Sequence, residues 1–135
     1  MERYAVSTPH APSSGGASSQ AIAHNGVLYV SGQLPMDPVT GAMLPRPIVR
    51  GTEAAFRAQV LQCLANLRAV CEAAGGSLDE VVRVGIYLTD LSDFAAVNAV
   101  MQDYFAAPYP ARSTIEVSGL PKGAAFEVDA VMVLD

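Results

Sequence analysis

The chain has 135 residues, room for one domain with a core of its own and too few for two, so residues 1–135 are expected to form a single domain. Hydrophobic residues make up 51% of it and mean hydropathy is +0.30, yet no apolar run approaches the ~20 residues that span a bilayer. Net charge is −5, with only 8 Lys+Arg spread thinly and no Trp, which argues against a dedicated nucleic-acid binder because phosphate contacts need a basic stripe.

Residues 1–16, MERYAVSTPHAPSSGG, carry neither a basic n-region nor an apolar h-region, so a cytoplasmic chain without a signal peptide is expected. Ser13 to Ser19 is small, flexible loop material. Gln20–His24 and Val27–Gly32 flank Asn25-Gly26, the strongest short hairpin signal. The second arm is apolar on both faces as far as Ser31, the mark of a central strand. Asp37-Pro38-Val39-Thr40-Gly41 is a further turn, and residues 42 to 50 read as an irregular crossing segment.

Thr52 is the expected N-cap of a first helix, with Glu53 in the first turn where the helix dipole favours a carboxylate. Phe56, Val60, Leu64, Leu67, Cys71 and Ala74 form its apolar stripe, with Arg57, Gln59, Gln62, Asn66 and Arg68 on the face expected to be wet. Cys63 and Cys71 lie ~12 Å apart along such a helix, too far for a disulfide, and read as buried thiols. Gly75-Gly76 stops the helix, and Ser77 to Glu80 fits a capping box.

Val82, Val84, Ile86 and Leu88 share one face of the next strand, with Arg83, Gly85, Tyr87 and Thr89 on the other. A second helix follows, capped by Ser92, with Phe94, Val97, Met101, Tyr104 and Phe105 as its stripe. Arg112–Val117 and Phe126–Leu134 then alternate as two strands joined by a turn at Leu120-Pro121-Lys122-Gly123. On the last strand Glu127 and Asp129 share a face with Val131 and Val133, as at a cleft or a subunit boundary. The predicted order is β-β-α-β-α-β-β: an α+β two-layer sandwich in which two helices cover one face of a mixed sheet of about five strands. The uncovered face bears Tyr29, Tyr87, Val131 and Val133, and self-association would close it.

Among motifs, His10 and His24 sit in no metal-ligand spacing, and His24 at a hairpin end is expected to face solvent. No GxGxxG, P-loop or G-x-S-x-G is present. The remaining polar set is Ser31, Asn98, Arg112, Thr114, Glu116, Glu127 and Asp129. Arg112 either clamps a ligand carboxylate through two parallel hydrogen bonds or pairs internally with Glu116, Glu127 or Asp129. Glu127 is either a general acid/base or that internal partner.

The ordered set of Ala11-Pro12, NGVLYVSGQLPMDPVTG, CEAAGGSLDEVV, YLTDLSDFAAVNAVMQDYF and PARSTIEV with Glu127 fifteen residues after Arg112 resembles the reactive intermediate deaminase (Rid, or YjgF) family over nearly the whole chain. The resemblance implies a chorismate-mutase-like fold, homotrimers with clefts between subunits, and hydrolysis of 2-imino acids and their enamine tautomers to 2-keto acids and ammonia. It implies no metal or other cofactor, because a protonated imine is already electrophilic. By position it assigns Arg112 to the substrate carboxylate and Glu127 to the attacking water and the leaving nitrogen. Ser31, Gly32 and Asn98 would line the cleft, as would Thr114, where many members have a cysteine, and Tyr109. Ser18 stands where the typical deaminase has a tyrosine, which implies a larger or less polar pocket and a substrate other than 2-aminoacrylate. A non-catalytic member that senses a small carboxylate such as a 2-keto acid is the alternative, and ribonuclease activity ranks last.

Overall fold

The computed structural model describes residues 2–46 and 53–134. In chain order its elements are β1 (Tyr4–Val6), β2 (Ala21–His24), β3 (Val27–Gln33), α1 (Glu53–Ala73), β4 (Val81–Leu88), α2 (Phe94–Tyr104), β5 (Ala111–Glu116) and β6 (Phe126–Val133). Thr52, the expected cap of α1, and residues 47 to 51 of the crossing segment lie outside the described residues.

The hairpin of β2 and β3 closes on Asn25 and Gly26, whose φ angles of 51° and 76° are those a two-residue primed turn requires. The sheet order is β1-β2-β3-β6-β4-β5. β6 runs antiparallel to both β3 and β4, whereas β5 runs parallel to β4 and leaves the edge of the sheet open. A parallel neighbour needs a crossover, and α2 supplies it. The two final strands are therefore not neighbours: β4 lies between them.

Period-two alternation puts Phe126, Val128, Ala130 and Met132 of β6 on the helix side, with Leu28, Val30, Val84, Ile86 and Leu88 of the adjoining strands. Phe56, Val60, Leu64 and Leu67 of α1 are buried in the same core. Each such side chain contributes about 1.5–3 kcal/mol. Phe56 meets Phe126 edge to face, centroids 6.3 Å apart at 85°. Both cysteines are buried and free, and burial pushes the Cys71 thiol up to about 12.

Four expectations need correction. The short β1 was not anticipated; it adds a sixth strand and gives the order β-β-β-α-β-α-β-β. Val82 faces out, because a register shift between Val81 and Arg83 hands its core position to Val81. Asp90, not Ser92, caps the turn before α2, and its carboxylate accepts from Ser92 N at 2.9 Å and Ser92 Oγ at 2.7 Å. His24 is half-buried rather than solvent-facing, and its Nε2 lies 3.0 Å from Asn25 Nδ2.

The supposedly wet face of α1 also holds two fully buried amides. Gln59 donates to the carbonyls of Leu44 at 3.3 Å and Pro45 at 3.1 Å and accepts from Ala125 N at 3.0 Å. Asn66 donates to Leu34 O at 3.1 Å and Met36 O at 3.0 Å. The crossing segment thus packs on α1, and its part-buried carbonyls, with the buried Ala125 N–H, find their partners there. Replacing Gln59 by leucine strands three of them, at a cost of about 2–3 kcal/mol, read as a lower urea midpoint with an unchanged slope. An unshifted midpoint would show that this amide does not hold the segment.

Candidate functional site

Arg112 sits near the start of β5, opposite Val84 in the parallel register, and therefore on the helix-covered side. Its Nη2 donates to Asn98 Oδ1 of α2 at 3.1 Å, and its guanidinium carbon lies 5.3 Å from the Phe94 ring centroid. No described carboxylate pairs with it, and its side chain is half-buried. Glu116 instead accepts from Leu91 N at 2.9 Å, and Asp129 accepts from Tyr87 Oη at 2.8 Å. A neutral amide and an aromatic face hold the cation in place without cancelling its charge. Beside it opens a groove of about 250 Å³ lined by Asn98, Met101, Gln102, Tyr109, Pro110 and Arg112. Thr114, two residues along the same face, has a buried hydroxyl oxygen with no partner among the described residues.

Glu127 lies on the opposite side. Register pairs it with Tyr87 of β4 on the open sheet face. The pairing of β3 with β6 jumps from Val30–Ala130 to Gln33–Val128, so Ser31 and Gly32 together face Asp129 alone, a β-bulge. The Glu127 carboxylate occupies the space over Gly32, and a Cβ at that position would collide with it. Burial, helped by the negative charge of Asp129, raises the Glu127 pKa above the ordinary glutamate value. Ser31 donates from Oγ to Ser19 O at 2.6 Å and from its N–H to Gln20 O at 2.9 Å, tying the serine loop to the bulge. Ser18 is in that loop, exposed, and donates to Gly15 O at 3.0 Å beside a groove of about 400 Å³.

The residues singled out by sequence thus fall into two groups. Asn98, Tyr109, Arg112 and Thr114 gather at the β5 edge on the helix side. Ser31, Gly32 and Glu127 gather at the bulge on the open side, and Ser18 lies in the loop whose next residue, Ser19, is tied to Ser31. Within one chain Arg112 and Glu127 do not meet, and none of the internal ion pairs considered for Arg112 forms among the described residues. Phe94, expected in the apolar stripe of α2, is 43% exposed, and its ring lies beneath the guanidinium. Phe94, Asn98 and Gln102 recur every four residues, a spacing that marks one helix face and would have identified all three. Among the described residues no three His, Cys, Asp or Glu side chains gather as a metal site.

Fold and site together define a small α+β sandwich with a ligand-sized, cationic groove at one sheet edge and an acidic recess on the open sheet face. The family model described as Endoribonuclease L-PSP matches residues 8–134. The RutC family protein y4sK of Sinorhizobium fredii is 46% identical over 96% of this chain and 96% of its own length. A 2-iminobutanoate/2-iminopropanoate deaminase of Dermatophagoides farinae is 38% identical over 96% of this chain and 95% of its own. Among solved structures, the Rid-family protein YyfA of Yersinia pestis, of unknown function, superimposes with a TM-score of 0.90 at 39% identity, covering 98% of this chain and all of that one. The chain belongs to the Endoribonuclease L-PSP family, also called the Rid or YjgF family.

The raised pKa of Glu127 carries a stability signature. A carboxyl whose folded pKa exceeds its unfolded value is penalised when ionised: the penalty is absent below the unfolded value and complete above the folded one. Glu127→Gln should therefore gain stability over the native chain as pH rises through the interval just above the ordinary glutamate pKa. Urea unfolding across pH checks it, and a difference that stays flat with pH would refute the placement of this carboxylate.

Proposed function

We propose that this protein hydrolyses small 2-imino acids or their enamine tautomers to 2-keto acids and ammonia, in clefts formed between copies of the chain. The observation that carries this is Arg112, a half-buried guanidinium whose partners among the described residues, Asn98 and the Phe94 ring, are neutral, beside a groove of about 250 Å³. A planar fork with spare donors suits the carboxylate of a small acid, and a lysine could not reproduce the bidentate geometry.

In this scheme Arg112 and Asn98 fix the substrate acid, and Glu127 works on the imine carbon from the far side. Glu127 accepts a hydrogen bond from a water and takes its proton as the oxygen bonds to that carbon. Glu127 returns that proton to the nitrogen, and as the C–N bond breaks and ammonia leaves, the remaining hydroxyl proton passes to the Glu127 carboxylate and the carbon keeps the oxygen as a ketone. A carboxyl of raised pKa accepts and returns a proton near neutrality more readily than an ordinary one. Because Arg112 and Glu127 of one chain occupy opposite sides of the sheet, the scheme requires Arg112 of one copy beside Glu127 of another. The open sheet face supports such assembly: Tyr29, Ile115 and Val133 are 52%, 48% and 40% exposed on it. A homotrimer in the cytoplasm is the assembly and setting we assign.

The deaminase name carried by the Dermatophagoides relative agrees with this scheme. The family description names an endoribonuclease, but a net charge of −5 opposes RNA binding through phosphates. Ser18, a small side chain beside a roomy loop groove, favours a substrate bulkier than 2-aminoacrylate.

With imines generated in situ, Arg112→Lys should lower kcat/KM by roughly 10–100-fold, the loss of one or two charge-assisted hydrogen bonds. Glu127→Gln should lower kcat by roughly 10²–10⁴-fold. Equal rates for native and Arg112→Ala protein across several imines would end the proposal. If two copies share each site, unfolding and refolding Arg112→Ala together with Glu127→Gln should restore activity that neither variant has alone. No recovery in verified mixed oligomers would overturn the shared-site scheme.

A further inference from the structure

Two carboxylates, Glu127 and Asp129, project from the same face of β6, and each occupies space left by a glycine on a neighbouring strand. Glu127 lies over Gly32 of β3. Asp129 lies over Gly85 of β4, where a Cβ would collide with its carboxylate and come within 3.0 Å of Tyr87 Oη. Tyr87 stands opposite Glu127 in the register, yet its hydroxyl reaches past that residue's partner position and donates to Asp129 Oδ2 at 2.8 Å. The hydrogen bond orients the Asp129 carboxylate. A fixed negative charge is thereby held beside Glu127 on a half-buried surface.

We propose that Tyr87 and Asp129 are positioning residues that act through Glu127: the pair holds a negative charge beside it and so sets the pH at which Glu127 gives up its proton. The consequence for turnover rests on the deaminase function proposed above; the coupling itself does not. Within one chain the surroundings are consistent with this; in the assembly proposed above, Arg112 of another copy adds a cation beside the same carboxylate, present alike in the native protein and in the variants compared below. From β4 the groups facing Glu127 and Asp129 are Tyr87 and the cation Arg83, whose Nη1 donates to Val84 O at 2.8 Å and whose Nη2 lies 3.4 Å from Ser113 Oγ. From β3 they are Tyr29 and the hydroxyl of Ser31. Cys63 of α1, beneath the sheet, is held neutral by burial, with the Glu127 charge adding to the effect. Arg83 is thus engaged along β4 and toward β5, and Asp129, two residues along the same face of β6, is the acid whose charge bears on Glu127. That charge adds to burial in keeping Glu127 protonated at a higher pH than usual. The Tyr87 phenol is itself pushed up, first by its bond to Asp129 and then by burial.

Site-selective ¹³C labelling of glutamate, with the Glu127 carboxyl followed by NMR across pH, reads the coupling without substrate. Asp129→Asn keeps the volume and an acceptor for Tyr87 but removes the charge, and the Glu127 midpoint should move to lower pH. Tyr87→Phe keeps the charge and loses only its tether, so the midpoint should move in the same direction by less. The acidic limb of the pH–rate profile should follow both. A Glu127 midpoint unchanged in Asp129→Asn overturns the inference, whether or not the protein hydrolyses imines. Failure of imine turnover with the NMR shifts intact would count against the deaminase function alone.

Discussion

Successive side chains of a β-strand point to opposite faces, and in this sheet that parity decides where every charged group can act. β4 is the ruler. Its even-numbered residues from Val84 to Leu88 turn to the helices and its odd-numbered ones to the open face, and both neighbours are locked to it, β5 in parallel and β6 in antiparallel register. Arg112 inherits the side of Val84 and Glu127 the side of Tyr87. A one-residue slip of β6 would turn Glu127 and Asp129 into the core and expose the Phe126–Met132 ladder, so the side of Glu127 is fixed by the same burial that stabilises the fold. The two groups most suited to chemistry are kept apart by the hydrophobic core itself.

Space on the open face is rationed by small residues. Gly32 and Gly85 admit Glu127 and Asp129 flat against the sheet, where any Cβ would force them outward. The bulge at Ser31 and Gly32 performs a second task, since it returns Gln33 to the core register after presenting two residues to the recess. Buried amides then fix the loops around these elements. Gln20 bonds both backbone groups of Thr8 and the carbonyls of Ala11 and Pro12, holding the segment before the serine loop as Gln59 and Asn66 hold the one after β3.

Much of the architecture was legible because strong local rules governed it. Asn25-Gly26 allowed one kind of hairpin, and β6 alternated without a break. The layers followed from two amphipathic helices. What escaped had no local signature. β1 is three residues long and gains its strand from pairing with β2, not from its own pattern. The insertion of β6 between β3 and β4 is a long-range choice that two strands adjacent in sequence conceal. Gln59 and Asn66 read as wet because polarity is the usual sign of exposure; their burial depends on carbonyls twenty or more residues away or delivered by an irregular segment. Of the site, residue types and their faces could be read on each strand, but not that one face of β5 and the other of β6 carry them.

The state of Arg112 follows from how the other acids are occupied. Glu116, on its own strand and face, is drawn off by the Leu91 N–H at the turn before α2. Asp129 is held by Tyr87, and Glu127 is on the far side of the sheet. Glu116 and Asp129 have competing donors and Glu127 the wrong parity, so among the described residues the guanidinium keeps Asn98 and the Phe94 ring. A cation left with neutral partners on a half-buried edge retains most of its capacity to bind an anion, because no internal ion pair has to be broken first. Under the function proposed above, the acid it binds comes from outside the chain, and the edge of β5, with no strand beyond it among the described residues, is where that acid would enter.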